Sequence, residues 1–259
     1  MTKFQTSFRP LRPLALIAAL GLAGAASAEE IDFGNMSPEQ EAAFGIKIRE
    51  YLLENPQVIM EAVAVLEERE ANQQAAADVS LVSDNSEALF NDGYSWVGGN
   101  PDGDITIVEF SDYRCGYCRK AHPEVSELIE SDGNIRFILK EFPILGEASL
   151  DSSKFAIATK IVAGDDAYKQ VHDALITLGG APTEPALTRI ATSLGLDADA
   201  IKAEMNSDEV MRRIAETRAL AQAMKINGTP SFVMAGEMVR GYVPLDGMRS
   251  IVAEARAAN

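Results

Sequence analysis

Only two cysteines occur in the chain, and they stand close together in Cys115-Gly116-Tyr117-Cys118. A pair at this spacing is a reversible disulfide, half of a zinc site, or a chance arrangement. Placement separates these. The pair follows Ile105 to Phe110, a β-branched, almost wholly apolar run of the kind a buried strand needs. It precedes Val125, Leu128 and Ile129, which repeat at helical spacing. A cysteine where a strand passes into a helix faces unpaired backbone N–H groups and the positive end of the helix dipole. Both favour thiolate over thiol. The pattern puts Cys115 there, with Cys118 one turn deeper and able to close a disulfide back onto it. The first sulfur attacks or is attacked, and the second resolves the mixed disulfide.

Two further features suit that chemistry. Glu109 is an acid inside the apolar strand, six residues before Cys115. Buried, it titrates high and can move protons for Cys118; on an edge strand it simply faces solvent. Gly228-Thr229-Pro230-Ser231-Phe232 puts a proline directly ahead of an apolar strand. In the cis form Pro230 would leave the preceding backbone free to pair with an extended substrate; the plainer alternative is a trans turn proline. Tyr113 and Tyr117, with Gly116, are candidates to line a groove around the sulfurs, whereas Phe142 and Trp96 read as core. Met224 and Met234 read as core fillers.

A metal centre is the competing use of the cysteines. His122, four residues after Cys118, would complete a three-ligand set, and soft thiolates suit Cu(I) or Zn. The other histidine, His172, falls in a distant helical stretch, and closed zinc sites want four ligands. The expectation is therefore no metal and no cofactor beyond the sulfurs.

The surrounding elements are legible from periodicity and turn chemistry. Residues 36–78 read as two amphipathic helices, the first capped by Ser37-Pro38 and the second opened by Asn55-Pro56. Their apolar residues, among them Phe44, Ile48, Leu52, Val58, Ile59, Val63 and Leu66, require a partner surface. That is either the chain's own main domain or a second copy. Residues 73–85 read as a linker or a fraying helix end. A strand is expected near Tyr94 to Val97, and another at Ile135 to Phe142. Helices follow over about 148–225, broken at Gly164, Gly179-Gly180, Gly195 and Ser207. Strands return at Ser231 to Met234 and Met238 to Tyr242 around a turn at Gly236, and a helix runs from Leu245 to Ala257. The order is βαβ, helical insertion, ββα.

Residues 1–28 carry the marks of a cleaved export signal: Lys3, Arg9 and Arg12, an apolar run from Leu14 to Ala26, then Ala26-Ser27-Ala28. The formal net charge is -16 over 259 residues. Removing the signal takes away three basic residues and no acidic one, leaving -19. That balance excludes a nucleic-acid or anionic-lipid surface, which needs clustered Lys and Arg. Two cysteines exclude a disulfide-stapled scaffold and a four-cysteine zinc site. An exported chain works where disulfides persist.

Residues 105–118 and 228–232, with the helical insertion between them, resemble the DsbA-like branch of the thioredoxin superfamily. The resemblance covers about residues 90–257. The helices at 36–78 resemble the extra N-terminal region of ScsC-like secreted members, where it serves oligomerisation. The resemblance implies an α/β, thioredoxin-like fold over 89–259 preceded by an N-terminal helical region and linker over 29–80. It also implies a periplasmic thiol–disulfide oxidoreductase that self-associates through residues 36–78. Cys115 would be the nucleophile, Cys118 the resolving cysteine, Glu109 the buried acid and Pro230 the cis proline, preceded by Thr229. Clients would be proteins with cysteines or disulfides, and a membrane or soluble redox partner would reset the pair. Gly116-Tyr117 departs from the Pro-His dipeptide of strongly oxidising members and is shared with isomerases. An oligomer with this dipeptide fits an isomerase, and a monomer leans towards oxidase. The link of ScsC-like proteins to copper tolerance keeps a copper- or zinc-binding module on the same cysteines as the alternative.

Overall fold

A computed structural model describes residues 33–258. The proposed signal segment lies outside these residues. The chain divides into two compact units between Ala62 and Val63.

In the first unit, α1 (Pro38–Glu54) starts where Ser37 accepts from the Gln40 N–H and Gln40 accepts from the Ser37 N–H. This reciprocal cap satisfies two otherwise unpaired donors. It ends at Asn55, whose backbone and side-chain N–H groups both donate to the Tyr51 carbonyl. Pro56 follows, and α2 (Gln57–Asp84) begins. No residue of α1 is buried, and Phe44, Ile48 and Tyr51 are exposed.

The rest of α2 continues through the stretch read as a linker or a fraying helix end, and is helical as far as Asp84. Val82 is buried, and Asp78 forms a two-pronged ion pair with Arg240. The Ala-rich composition there is helix-forming, and this anchor holds the helix at its end. A short α3 (Ser86–Phe90) leads to β1 (Trp96–Gly99), β2 (Ile105–Ser111), α4 (Gly116–Asp132) and β3 (Ile135–Glu141). The insertion is α5 (Glu147–Ile176), α6 (Glu184–Ser193), α7 (Ala198–Glu204) and α8 (Asp208–Ala223). Gly164, at φ 84° and ψ -173°, breaks α5 into two helical pieces at the expected position. The chain closes with β4 (Ser231–Met234), β5 (Glu237–Arg240) and α9 (Leu245–Ala258).

The sheet order is β1-β3-β2-β4-β5, with β2 and β3 parallel and the other neighbours antiparallel. Ala235 and Gly236, both at positive φ, make the two-residue turn between β4 and β5. Because β2 is central, its residues alternate between two buried faces. Ile105 and Ile107 pack with Val125 and Leu128 of α4, Phe155 of α5 and Val252 of α9. Val108 and Phe110 face Val82, Leu89 and Leu220 on the other side. Each such large apolar side chain contributes roughly 1.5–3 kcal/mol through burial. The result is the expected thioredoxin-like βαβ and ββα arrangement with a helical insertion. Among the described residues, no helix is long and apolar enough to cross a membrane.

Candidate active site

The strand β2 delivers both cysteines to the start of α4. Cys115 is the N-cap residue, with extended backbone, and its carbonyl accepts the first helical bond from the Arg119 N–H. Cys118 lies in the first turn. The two sulfurs differ in access: Cys115 keeps 8% of its surface exposed and Cys118 none. Gly116 and Tyr117 between them are exposed, so only the first sulfur can be approached from outside.

Thr229-Pro230 is a cis peptide, as considered from the sequence. It brings the Thr229 carbonyl within 3.1 Å of the Cys115 Sγ, which donates to it. Residues far apart in the chain therefore meet at the Cys115 sulfur.

Glu109 is buried in the central strand, between Leu139 of β3 and Phe232 of β4. The edge-strand alternative is excluded by that register. Alternation puts Glu109 on the face of Ile105 and Ile107, towards α4. Burial pushes its pKa up to about 7, a nearby Glu141 adds to the rise, and Ser111 works against it. Burial also pushes the Cys118 thiol up, and the charge of Glu109 adds to that. The Glu109 charge therefore disfavours the Cys118 thiolate, and a proton moved from Cys118 to Glu109 removes that opposition.

Tyr113 is not on an open groove. It is 3% exposed, and its hydroxyl donates to Glu141 Oε1 at 2.7 Å and lies 3.0 Å from His172 Nδ1. Tyr168 also donates to Glu141 Oε1, at 2.5 Å. Burial holds Glu141 near 7 and lowers His172 to about 3, with neighbouring His122 adding to the latter. This inward polar cluster had no local sequence signal, because its members come from β3, the β2–α4 junction and α5. Trp96 stacks on Tyr168 and Phe142 packs edge-on against Phe110, so both are core.

The exposed side of the site has members that spacing did not single out. Tyr117 stacks on Tyr242, over whose ring Lys120 Nζ sits at 4.2 Å. Tyr242 donates to Glu124 Oε1 at 2.7 Å, which ties the β5–α9 loop to α4. Buried Asp112 accepts from the Arg114, Ile144 and Leu145 N–H groups and so holds the loop after β3 beside the cysteines. Arg119 donates to the Tyr113 and Leu178 carbonyls, joining α4 to the insertion. An Asp directly before the cysteine turn was the one available hint.

The competing ligand set of Cys115, Cys118 and His122 is not the one that converges. Among the described residues, the ligand-bearing side chains that converge are His122, His172 and Asp173. His172 is not distant from the site. Its helix α5 folds back so that the two imidazole rings lie 5.2 Å apart.

A thioredoxin-like sheet carrying a cysteine pair at its central strand–helix junction, opposite a cis proline, defines a thiol–disulfide oxidoreductase class of site. Residues 106–253 match the DSBA-like thioredoxin domain, and residues 40–73 match the copper resistance protein ScsC N-terminal domain. The chain belongs to the DsbA-like thioredoxin-domain family, a family of thiol–disulfide oxidoreductases. A solved thioredoxin-like oxidoreductase from Silicibacter pomeroyi is 41% identical, with 67% of this chain and 98% of that one covered and a TM-score of 0.62. The thiol-disulfide exchange protein alpha-DsbA2 from Wolbachia pipientis is 26% identical, covering 70% and 97%, with a TM-score of 0.65. A curated relative, the Na(+)/H(+) antiporter NhaA 1 of Salinispora arenicola, is 29% identical over 161 residues, which are 62% of this chain. The match spans only 24% of that relative's length.

Proposed function

We propose that this chain is an exported, periplasmic enzyme that exchanges disulfides with client proteins through Cys115 and Cys118. The observation that carries the reading is the Cys115 Sγ against the Thr229 carbonyl, in a residue that keeps 8% of its surface exposed, with Cys118 wholly buried behind it on the face of Glu109. The Cys115 thiolate attacks a client disulfide, one client sulfur leaves as thiolate, and a mixed disulfide forms. Cys118 then attacks the Cys115 sulfur, releasing the second client thiol and oxidising the pair. Run backwards, the oxidised pair donates its disulfide. Resetting needs a redox partner, membrane-bound or soluble. Acceleration of refolding from both scrambled-disulfide and fully reduced substrates tests the reading. Faster recovery from scrambled substrate assigns isomerase, faster recovery from reduced substrate assigns oxidase, and no acceleration of either overturns the proposal.

We also infer self-association through residues 36–78. The exposed Phe44, Ile48, Tyr51, Ile59 and Leu66 support it, as does the ScsC-type N-terminal match. Replacing Phe44 and Ile48 together by Glu is expected to convert the assembly to monomer in light scattering. An unchanged mass would refute self-association through α1.

A further inference from the structure

We propose that His122, His172 and Asp173 bind a borderline divalent cation of the Zn2+ type, at the edge of the cavity that the two histidines line together with Glu109. One ligand atom from each residue lies within 4.8 Å of the others, close enough to converge by small rotations. Two imidazoles and a carboxylate suit Zn2+ better than hard or soft ions, and three protein ligands leave a coordination position open.

The surroundings support a cation in three ways. His172 is buried and oriented from behind: Tyr113 donates its one proton to Glu141, so its oxygen accepts from His172 Nδ1. That leaves Nε2 with the lone pair, and an imidazole fixed through its other nitrogen is how metal-binding histidines are held. His122 Nε2 already sits 3.3 Å from Asp173 Oδ1, so two ligands are paired before any ion arrives. A cavity of about 270 Å³, lined by both histidines, Lys169 and Glu109 and reaching exposed Glu130, provides entry and room for water on the open position. Lys169 opposes the ion. Its ammonium contacts both Asp173 oxygens, at 2.8 and 2.6 Å, but the side chain is 40% exposed and can swing into water.

The cysteines are not ligands here, so the test removes them. Zn2+ is titrated calorimetrically into the full chain carrying Cys115→Ser and Cys118→Ser. One ion per chain is expected. On that background His122→Ala or Asp173→Asn should weaken binding at least about tenfold, the loss already typical of an outer-sphere partner. Both residues are partly exposed, so neither change threatens folding. Lys169→Ala should tighten binding. Co2+ in place of Zn2+ should give nitrogen- and oxygen-ligand spectra in the wild-type chain, without sulfur-to-metal charge transfer. Absence of saturable binding in the cysteine-free chain, or binding unmoved by both His122→Ala and Asp173→Asn, overturns the site. None of these readouts depends on disulfide exchange.

Discussion

Replacing Cys115 by Ala is expected to reduce disulfide exchange to the uncatalysed background. Cys118 cannot take over, because none of its surface is exposed and burial holds its thiol protonated. The complementary variant, Cys118→Ala, should still attack clients but stall with client covalently attached through Cys115. Non-reducing gels would then show a mixed disulfide that dithiothreitol releases. The order of the two sulfurs would be wrong if Cys115→Ala trapped clients and Cys118→Ala did not. Full activity in Cys115→Ala would sink the whole assignment.

Glu109→Gln should slow the resolving step by on the order of a hundredfold, the low end for a lost general base. The reason is electrostatic. Cys118 must lose its proton to attack, and burial makes that costly at neutral pH. Glu109, raised to about 7, is poised to accept the proton. The rate of mixed-disulfide resolution should therefore rise with pH through about 7 in the wild type and show no inflection there in Glu109→Gln. An identical profile in both would remove Glu109 from the proton path. Stability changes in the opposite sense. The folded protein holds a proton on Glu109 that the unfolded chain has released above 4.5, so unfolding free energy falls as pH rises from about 4.5 to 7. The displacement corresponds to about 3 kcal/mol, present as a penalty above pH 7. Urea titration at pH 8 should find Glu109→Gln more stable than wild type, with the gap closing at pH 4.

The order of elements was legible because strands and helices have local periods and the breaks carry Gly, Pro or Ser. Cys115, Cys118 and Pro230 were legible for a similar reason: each sits at a junction between two such patterns. Contacts across the chain were not. Tyr113 and His172 are 59 positions apart, and nothing local says that α5 returns to the site. Glu141 is a charged residue near the end of its strand, where a solvent-facing position is the ordinary expectation, yet it is buried. Residues 73–85 read as a linker or a fraying helix end because they are rich in small Ala and Ser and in Asp. The ion pair from Asp78 to Arg240, which anchors that helix, spans 162 positions.

The meeting of Cys115 with Thr229 has a consequence for the newborn chain. A polypeptide made from its N-terminus presents both thiols long before β4 exists to pair with β2 or to carry the Thr229 carbonyl over the sulfur. The helices of the insertion close mainly local contacts and can form in the interval. During that time the cysteines are ordinary, unshielded thiols, open to whatever oxidant or stray thiol they meet. Until its last strands arrive, the pair is guarded only by what binds the unfinished chain.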